Sequence, residues 1–281
     1  GDQIMSANLM RYLSFFICVA GIFVTSVAGA AQPEPWQIWH QEPAGSIAEK
    51  ALNLHNLLLI IITMISVFVL GLLGYTSWRF RRKANPTPSK TTHNTVIEIL
   101  WTVIPVLILV VIAVPSFQLL YYMDETKNAD MVIKVTGNQW HWNYEYIDEQ
   151  IGFDSYMLSD EELKPGQPRL LSVDNPLIVP EGTKIKFLVT ANDVMHSFFV
   201  PSLAVQTYAI IGRVDEVWID VPKGEKTYYG QCNQICGVNH SFMPIVVKAL
   251  VEDEYRAWLE DAKQEFAILE TPELIQLAAV K

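Results

Sequence analysis

The sequence predicts a two-helix transmembrane hairpin followed by an external all-β sandwich of the Greek-key type that ends in a helix. Hydrophobic residues make up 51% of the 281 positions, which is too many for an ordinary soluble domain. Two long charge-free runs occupy the first half, and short alternating stretches with Gly and Pro turns follow them. We therefore divide the chain into residues 1–31, a signal peptide; 32–50, an external segment; 51–121, the hairpin; and 122–281, the external domain.

The first segment has the features of a secretory signal peptide. Arg11 precedes an apolar run from Leu13 to Val27, which ends in the small residues Ala-Gly-Ala-Ala. A basic start, a short apolar core and an A-x-A site are typical of such peptides. We expect cleavage before Gln32 or one residue earlier. A first membrane helix is the alternative, which the shortness of the run disfavours.

Two longer apolar runs predict membrane-spanning helices. Charge-free stretches of 28 and 25 residues follow Lys50 and Glu98. Each exceeds the roughly 20 residues needed to cross the hydrocarbon core of a bilayer. We place the two helices at about 51–79 and 97–121, with a connecting loop at 80–96.

The basic charge around this loop predicts the orientation of the hairpin. Under the positive-inside rule the loop is cytoplasmic, so the following domain is external. In a bacterial inner membrane that domain would face the periplasm, and a signal peptide independently requires an external N-terminus. The basic residues are Arg79, Arg81, Arg82, Lys83 and Lys90.

The external domain carries the negative charge of the chain. Residues 122–281 contain 25 acidic and 13 basic residues, a net charge of −12, whereas the whole chain has −10. Such a surface repels nucleic acid and attracts a basic partner over long range. Plain solubility is the alternative explanation for this charge.

The external domain contains short stretches that predict β-strands. Short strands at even spacing with Gly and Pro turns favour a sandwich or barrel. We expect an acidic loop without strands at Gln150 to Arg169 and a helix at Glu252 to Phe266. The strand-like stretches are 131–147, 176–193 (a turn at 180–182 followed by a strand), 214–232 (strand, turn, strand) and 242–252.

A group of soft metal-binding residues lies within this domain. Cys232, Cys236, His240 and Met243 occur within twelve residues, and His196 lies 36 positions before the first of them. We expect His196 to end one strand and the others to fill the loop that joins the last two strands. Sulfur and imidazole ligands suit copper, and a weak axial Met is typical of electron-transfer copper. Two cysteines can also bridge two metal ions.

Two other interpretations of the cysteines have to be weighed. Cys232 and Cys236 lie in an oxidising compartment and are the only cysteines left after signal cleavage, so a disulfide is possible. Zinc could use two Cys and two His, but structural zinc sites favour C-x-x-C pairs and would leave Met243 unused. A disulfide needs neither His240 nor Met243. The five residues together therefore favour copper.

A distant His combined with a Cys–His–Met loop on a β-sandwich resembles the cupredoxin fold. More specifically, the chain resembles subunit II of the haem–copper cytochrome c oxidases, in the aa3-type family. The motifs that carry this resemblance occur in order: PSFQLLYYMDE, QWHWNYEY, HSFFVPSLAV and YYGQC…CG…NHSFMPIVV.

The resemblance implies a dinuclear copper A centre. Two thiolates would bridge the coppers, one imidazole would bind each copper, and a thioether and a backbone carbonyl would complete the ligands. In chain order these groups belong to His196, Cys232, Gln234 (the carbonyl), Cys236, His240 and Met243.

The resemblance also implies a function and partners. Trp140 matches the residue that receives electrons from cytochrome c, and Glu98 matches the carboxylate at the entrance of a proton path. Electrons would pass from copper A to haem in subunit I, where oxygen is reduced to water with proton translocation. The implied partners are subunits I and III, cytochrome c and membrane lipid. Alternatives are another membrane-tethered copper A protein and a quinol-oxidase-like structural subunit, although the quinol relatives lack the cysteines.

Several positions depart from the family pattern. Gln234 replaces a Glu whose side chain binds magnesium or manganese shared with subunit I, so a weakened site is expected. His141 replaces a Tyr, and Asn138 replaces a His. Residues 206–213 read QTYAIIGR where the family commonly has K-x-D-A-x-P-G-R.

Overall fold

The computed structural model describes residues 31–224 and 226–267. The signal-peptide expectation falls outside these residues except for Ala31. Ala31 pairs with the strand that spans 226–232: its N–H donates to the Thr227 carbonyl at 2.8 Å, and its carbonyl accepts from the Tyr229 N–H at 3.2 Å.

Two long helices, α1 (Ser46–Arg79) and α2 (Thr95–Met123), form the first part of the described chain. Both are long and apolar enough to cross a membrane, judged by length and composition alone. Their apolar side chains are largely exposed, as a lipid environment requires. The Asn94 side chain starts α2 by accepting from the N–H groups of Val96 and Ile97.

Helix α2 extends beyond both predicted ends, whereas α1 ends at the predicted Arg79 but begins five residues earlier than expected. The cause is a tertiary contact: both carboxylate oxygens of Asp220 accept from the Ser46 N–H, each at 2.9 Å. The Ser46 hydroxyl also lies 2.7 Å from the Tyr122 hydroxyl near the end of α2. The β domain thus holds the outer ends of both helices, and no local pattern in the sequence shows this.

The second part is a sandwich of two five-stranded sheets, which confirms the predicted cupredoxin-like architecture. The sheet orders are β3-β2-β1-β5-β8 and β4-β10-β9-β6-β7. Parallel pairing joins β1 to β5 and β4 to β10. The strands are β1 (Met131–Asn138), β2 (His141–Tyr146), β3 (Ile151–Ser155), β4 (Leu177–Pro180), β5 (Lys184–Ala191), β6 (His196–Val200), β7 (Val205–Ala209), β8 (Asp215–Asp220), β9 (Lys226–Cys232) and β10 (Pro244–Leu250).

Large aromatic side chains fill the space between the sheets. Along β2 the even-numbered residues Trp142, Tyr144 and Tyr146 are buried, whereas their odd-numbered neighbours are partly exposed. This alternation follows from the period of two along a strand. The predicted C-terminal helix is also present as α3 (Glu252–Glu265), which buries one face that includes Tyr255 and Leu259.

Three strand predictions were incomplete or wrong. The segment predicted as an acidic loop contains β3, which pairs with β2 and buries Ile151 and Phe153. His196 was expected to end a strand, but it begins β6. Strands β4 and β7 were not predicted. All of these strands have only four or five residues, so each offers too few inward positions for a clear alternation.

Candidate metal centre

The candidate ligands meet at one end of the sandwich. His196 begins β6 and Cys232 ends β9, and these two strands pair directly. The chain then forms a loop over residues 233–243, which carries Cys236, a short 3-10 turn that starts at His240, and Met243 immediately before β10. A rigid sheet therefore positions the first two side chains, and a single loop presents the rest.

The side-chain donors converge on a common volume. His196, Cys232, Cys236 and Met243 are buried, with at most 6% of their surface exposed, and His240 is half-buried. The separations are Cys232 Sγ to His196 Nδ1 3.9 Å, to Cys236 Sγ 4.0 Å and to the Gln234 carbonyl 3.3 Å, and Cys236 Sγ to His240 Nδ1 3.6 Å and to Met243 Sδ 3.6 Å.

The distance between the two sulfurs argues against a disulfide. Both cysteines are free, and their Sγ atoms lie 4.0 Å apart, about twice the length of a disulfide bond. Two thiolates on one metal can be separated by up to about 4.6 Å, which is twice a metal–sulfur bond of about 2.3 Å. The spacing therefore fits sulfurs that share a metal.

The electrostatics of the cysteine pair also fit a metal. Burial works against ionisation of Cys232, but hydrogen bonds from His196 and from nearby backbone groups outweigh it and lower the pKa of the thiol. Burial and the neighbouring Cys232 raise the pKa of Cys236 to about 12. Without a cation Cys236 therefore keeps its proton. Positive charge between the sulfurs would allow both to ionise, since coordinated thiols lose their protons.

Asp193 orients the His196 ring. Its Oδ1 lies 2.9 Å from His196 Nε2, which leaves Nδ1 facing Cys232. Backbone N–H groups of Val194 and Gln139 each donate to this carboxylate at 2.6 Å. Although burial favours the neutral acid, these hydrogen bonds lower the pKa of Asp193. Outer hydrogen bonds of this kind fix the orientation of a metal-binding imidazole.

The two tryptophans of the QWHW motif occupy different environments. Trp140 lies in the turn between β1 and β2, half-buried, and its Nε1 donates to the Cys236 carbonyl at 3.3 Å. Trp142 is fully buried, and its Nε1 donates to the Met243 carbonyl at 3.2 Å. Each ring is thus one hydrogen bond from the backbone of a candidate ligand.

Glycines allow the close contacts around the centre. A Cβ on Gly137 would lie 2.9 Å from the His196 ring. Gly237 has a φ of +125°, and a Cβ there would lie 2.9 Å from Cζ2 of Trp140. Sequence reasoning missed both glycines and Asp193. For Gly237 the only local signal is the CG pair that follows the second cysteine.

Two other residues singled out from the sequence are Gln234, in the metal loop, and Glu98, at the start of α2. The Gln234 carbonyl lies 3.3 Å from Cys232 Sγ, beside the candidate donors. Glu98 lies in the first turn of α2, at the end opposite Met123, from which the chain enters the β domain. Its carboxylate accepts from the Asn94 N–H at 3.3 Å, so Glu98 also caps the helix.

Comparisons with known proteins agree with the sequence and the site. The family model for the periplasmic domain of cytochrome c oxidase subunit II matches residues 131–250, and the model for its transmembrane domain matches residues 33–119. A probable cytochrome c oxidase subunit 2 of Rickettsia felis is 46% identical over 256 residues, which cover 91% of this chain and 80% of that protein.

A similar relative and a solved structure come from other organisms. Cytochrome c oxidase subunit 2 of Chondrus crispus is 47% identical over 249 residues, which cover 86% of this chain and 98% of that protein. The crystal structure of the periplasmic domain of subunit II of cytochrome oxidase from Bradyrhizobium japonicum is 42% identical. The matched region covers 50% of this chain and 99% of the Bradyrhizobium japonicum chain, with a TM-score of 0.47.

The fold and the donor group define a membrane-anchored cupredoxin-like protein whose His/Cys/Cys group fits copper A. Within that class, the chain belongs to the cytochrome c oxidase subunit II family. It is accordingly a membrane protein with a periplasmic-type domain and a subunit of the cytochrome c oxidase complex.

Replacing Gly237 by Ala should disturb the metal loop. The positive φ costs about 1–2 kcal/mol for an L-residue, and the new methyl group would also push against Trp140. We expect copper-loaded Gly237→Ala protein to have altered absorption and EPR spectra. Gly166→Ala is the matched control, because Gly166 has a φ of +90° with nothing within 4 Å of its Cβ position. Spectra altered equally in both variants would contradict the proposed contact with Trp140.

Proposed function

We propose that this chain accepts electrons from cytochrome c at a dinuclear copper A centre and passes them to haem in subunit I. Oxygen is reduced to water there, with coupled proton translocation. The observation that carries the proposal is the convergence of two unpaired thiols, two imidazoles and a thioether in a domain of this family. When bound, two coppers share one electron, so the charge change on each metal is small.

The chain would hold the coppers through the six groups implied by its resemblance to the family. The two thiolates, the two imidazoles, the thioether and the carbonyl would together supply the donor atoms, and the bound coppers would supply a one-electron redox change. The sheet and the buried aromatic core keep these donors in place, so little reorganisation accompanies a change of charge. The groups are His196, Cys232, the Gln234 carbonyl, Cys236, His240 and Met243.

Trp140 is the proposed point of electron entry. Its ring is half-buried, so one part can touch a partner while Nε1 remains bonded to the Cys236 carbonyl. Carboxylates lie close by: Asp193 accepts from the N–H of the preceding residue, and Asp154 lies 3.5 Å from the His141 ring. Together with the acidic charge of the domain, they favour docking of a basic cytochrome c.

Subunit I is the proposed partner at the copper loop. Ile235 and Val238 are 81% and 84% exposed, and Phe242 is also exposed, although all three belong to the metal loop. Exposed apolar side chains next to a functional site favour a protein partner. In the same interface, the neutral Gln234 side chain would give a weakened magnesium or manganese site, since these hard cations prefer carboxylate oxygen.

The chain is proposed to lie in the bacterial inner membrane, in contact with subunits I and III and with lipid. The basic residues at 79–90 favour a cytoplasmic loop and a periplasmic domain. A tethered copper A protein outside an oxidase has no specific support, and a quinol-oxidase-like structural subunit would not need the two cysteines.

Copper binding tests the proposal directly. The full-length chain, reconstituted with copper in detergent, should hold two copper ions and show a mixed-valence EPR spectrum in which one electron couples to both nuclei. Cys236→Ser should lose this spectrum, because a hydroxyl cannot replace a bridging thiolate. A single copper per chain, or tight zinc with no copper, would refute the dinuclear centre.

Trp140→Gln should slow electron entry without changing the copper spectrum. Loss of the aromatic ring beside Cys236 removes the proposed relay, and we expect reduction by cytochrome c to slow by at least about tenfold, equivalent to about 1.4 kcal/mol. Stopped-flow reduction of the assembled oxidase measures this rate. Trp36→Gln is the matched control, because Trp36 is exposed on the N-terminal segment. The on-rate should also fall as salt rises; a salt-independent rate would contradict electrostatic docking.

Glu98 offers a test that separates a proton role from helix capping. Glu98→Ala removes both functions, whereas Glu98→Gln keeps an oxygen that can accept from the Asn94 N–H but loses the ionisable group. If Glu98 takes up protons, both variants should slow turnover by about tenfold or more, with normal reduction of copper A by cytochrome c. Normal turnover of Glu98→Gln with slow turnover of Glu98→Ala would leave only the capping role.

A further inference from the structure

A second pair of histidines lies together at the outer end of α1. His40 is in the segment before the helix, and His55 is in the third turn of the helix. Their ring centroids are 4.5 Å apart and the ring planes cross at 84°. The Trp39 ring contacts both, at 5.8 Å from His40 and 5.5 Å from His55. None of these residues takes part in the proposed copper A centre.

The two histidines line a cavity whose wall includes Gln41, a residue with an unsatisfied polar atom. The cavity has a volume of about 190 Å³, and Gln41, Pro201 and Ala204 form other parts of its wall. A water molecule takes up about 30 Å³, so an ion with several waters would fit. Oε1 of Gln41 is buried and has no hydrogen-bond partner in the described part of the chain. A buried oxygen in this condition costs about 1–3 kcal/mol, which a ligand could offset.

We propose that this cavity binds a divalent transition-metal ion, zinc or copper(II), through His40, His55 and Oε1 of Gln41, with water as the remaining ligand. Imidazole nitrogen suits both metals. With metal–nitrogen bonds of about 2.0–2.1 Å, two imidazoles that meet a metal at 90–110° have ring centres about 4.5–5.2 Å apart. The observed separation of 4.5 Å lies at one end of this range.

The surroundings leave the imidazoles available to a metal. Within residues 31–224 and 226–267, the rings of His40 and His55 contact each other and Trp39, and neither histidine pairs with a carboxylate. A neutral imidazole has one free lone pair, which a metal can accept.

A metal here would link two parts of the fold, in a cavity whose wall is completed by a third. His40 and Gln41 belong to the N-terminal segment, His55 belongs to α1, and Pro201 and Ala204 lie just after β6. The segment between Ala31 and Ser46 is attached to the domain by a few backbone contacts, among them the Ala44 N–H to the Ser202 carbonyl at 2.7 Å. The ion would fix this segment against the hairpin without using any proposed copper A ligand.

Zinc titration of the full-length, copper-loaded chain in detergent tests the proposal. We expect one zinc ion per chain beyond the two coppers. His40→Phe and His55→Phe should each weaken zinc binding by about 100-fold or more, since they remove a direct ligand. Phenylalanine keeps a ring against Trp39, so these variants separate metal binding from aromatic packing. His93→Phe, in the loop before α2, is the control and should bind zinc like the unmodified protein.

Further measurements identify the metal and guard against folding failure. Copper(II) added after copper A is filled should give a separate mononuclear EPR signal with nitrogen hyperfine structure, and competition with zinc shows which ion is preferred. In the unmodified protein, zinc should protect both histidines from diethyl pyrocarbonate, as detected by mass spectrometry. Absence of the additional ion, unchanged affinity in both Phe variants, or histidines modified equally with and without zinc would each overturn the proposal.

Discussion

The pairing of β6 with β9 is the constraint on which the metal centre depends. Phe198 lies opposite Cys232 in this antiparallel pair, so the start of β6 and the end of β9 lie at the same end of the sheet. That register alone brings His196 and Cys232 together from positions 36 residues apart. The following loop then needs only eleven residues to return to β10, which pairs with β9 on its other side. A slip of β9 by one residue would turn Cys232 to the opposite face of the sheet, away from His196.

Burial and access make opposite demands on this end of the domain. The thiols and the His196 ring are buried, whereas the proposed electron transfer needs a donor that comes close to them. Cys236 meets both requirements. Its carbonyl accepts hydrogen bonds from Trp140 Nε1 and Gln139 Nε2, while its side chain faces inward. The backbone of one candidate ligand therefore contacts a half-exposed aromatic ring directly. Gly237 makes this approach possible, since any side chain there would occupy the space of the Trp140 ring.

The sequence predicted those features that local patterns encode. The charge-free runs predicted both helices, and the alternation around Trp142 predicted the buried face of β2. The cysteine, histidine and methionine residues predicted the metal loop. Asp193 could not be predicted as the group that orients His196. A carboxylate three residues before a histidine reaches the ring only because the turn before β6 brings the two side chains together. Nor could the sequence predict the early start of α1, which depends on Asp220 some 174 positions away. The short strands β3 and β7 were missed because pairing, rather than composition, defines them.

In the loop that carries Gln234, the backbone and the side chain of the same residue face different surroundings: the backbone lies near the candidate donors, and the side chain is open to a partner. The Gln234 carbonyl lies 3.3 Å from Cys232 Sγ, a contact that any residue could make. The side chain is therefore free to change without loss of the donor group. The same holds for Ile235, because its backbone lies between the two cysteines while its side chain is 81% exposed. A substitution here thus alters the surface offered to a partner more than the centre itself. The chain can therefore keep all of its candidate donor groups although the side chain at position 234 is Gln.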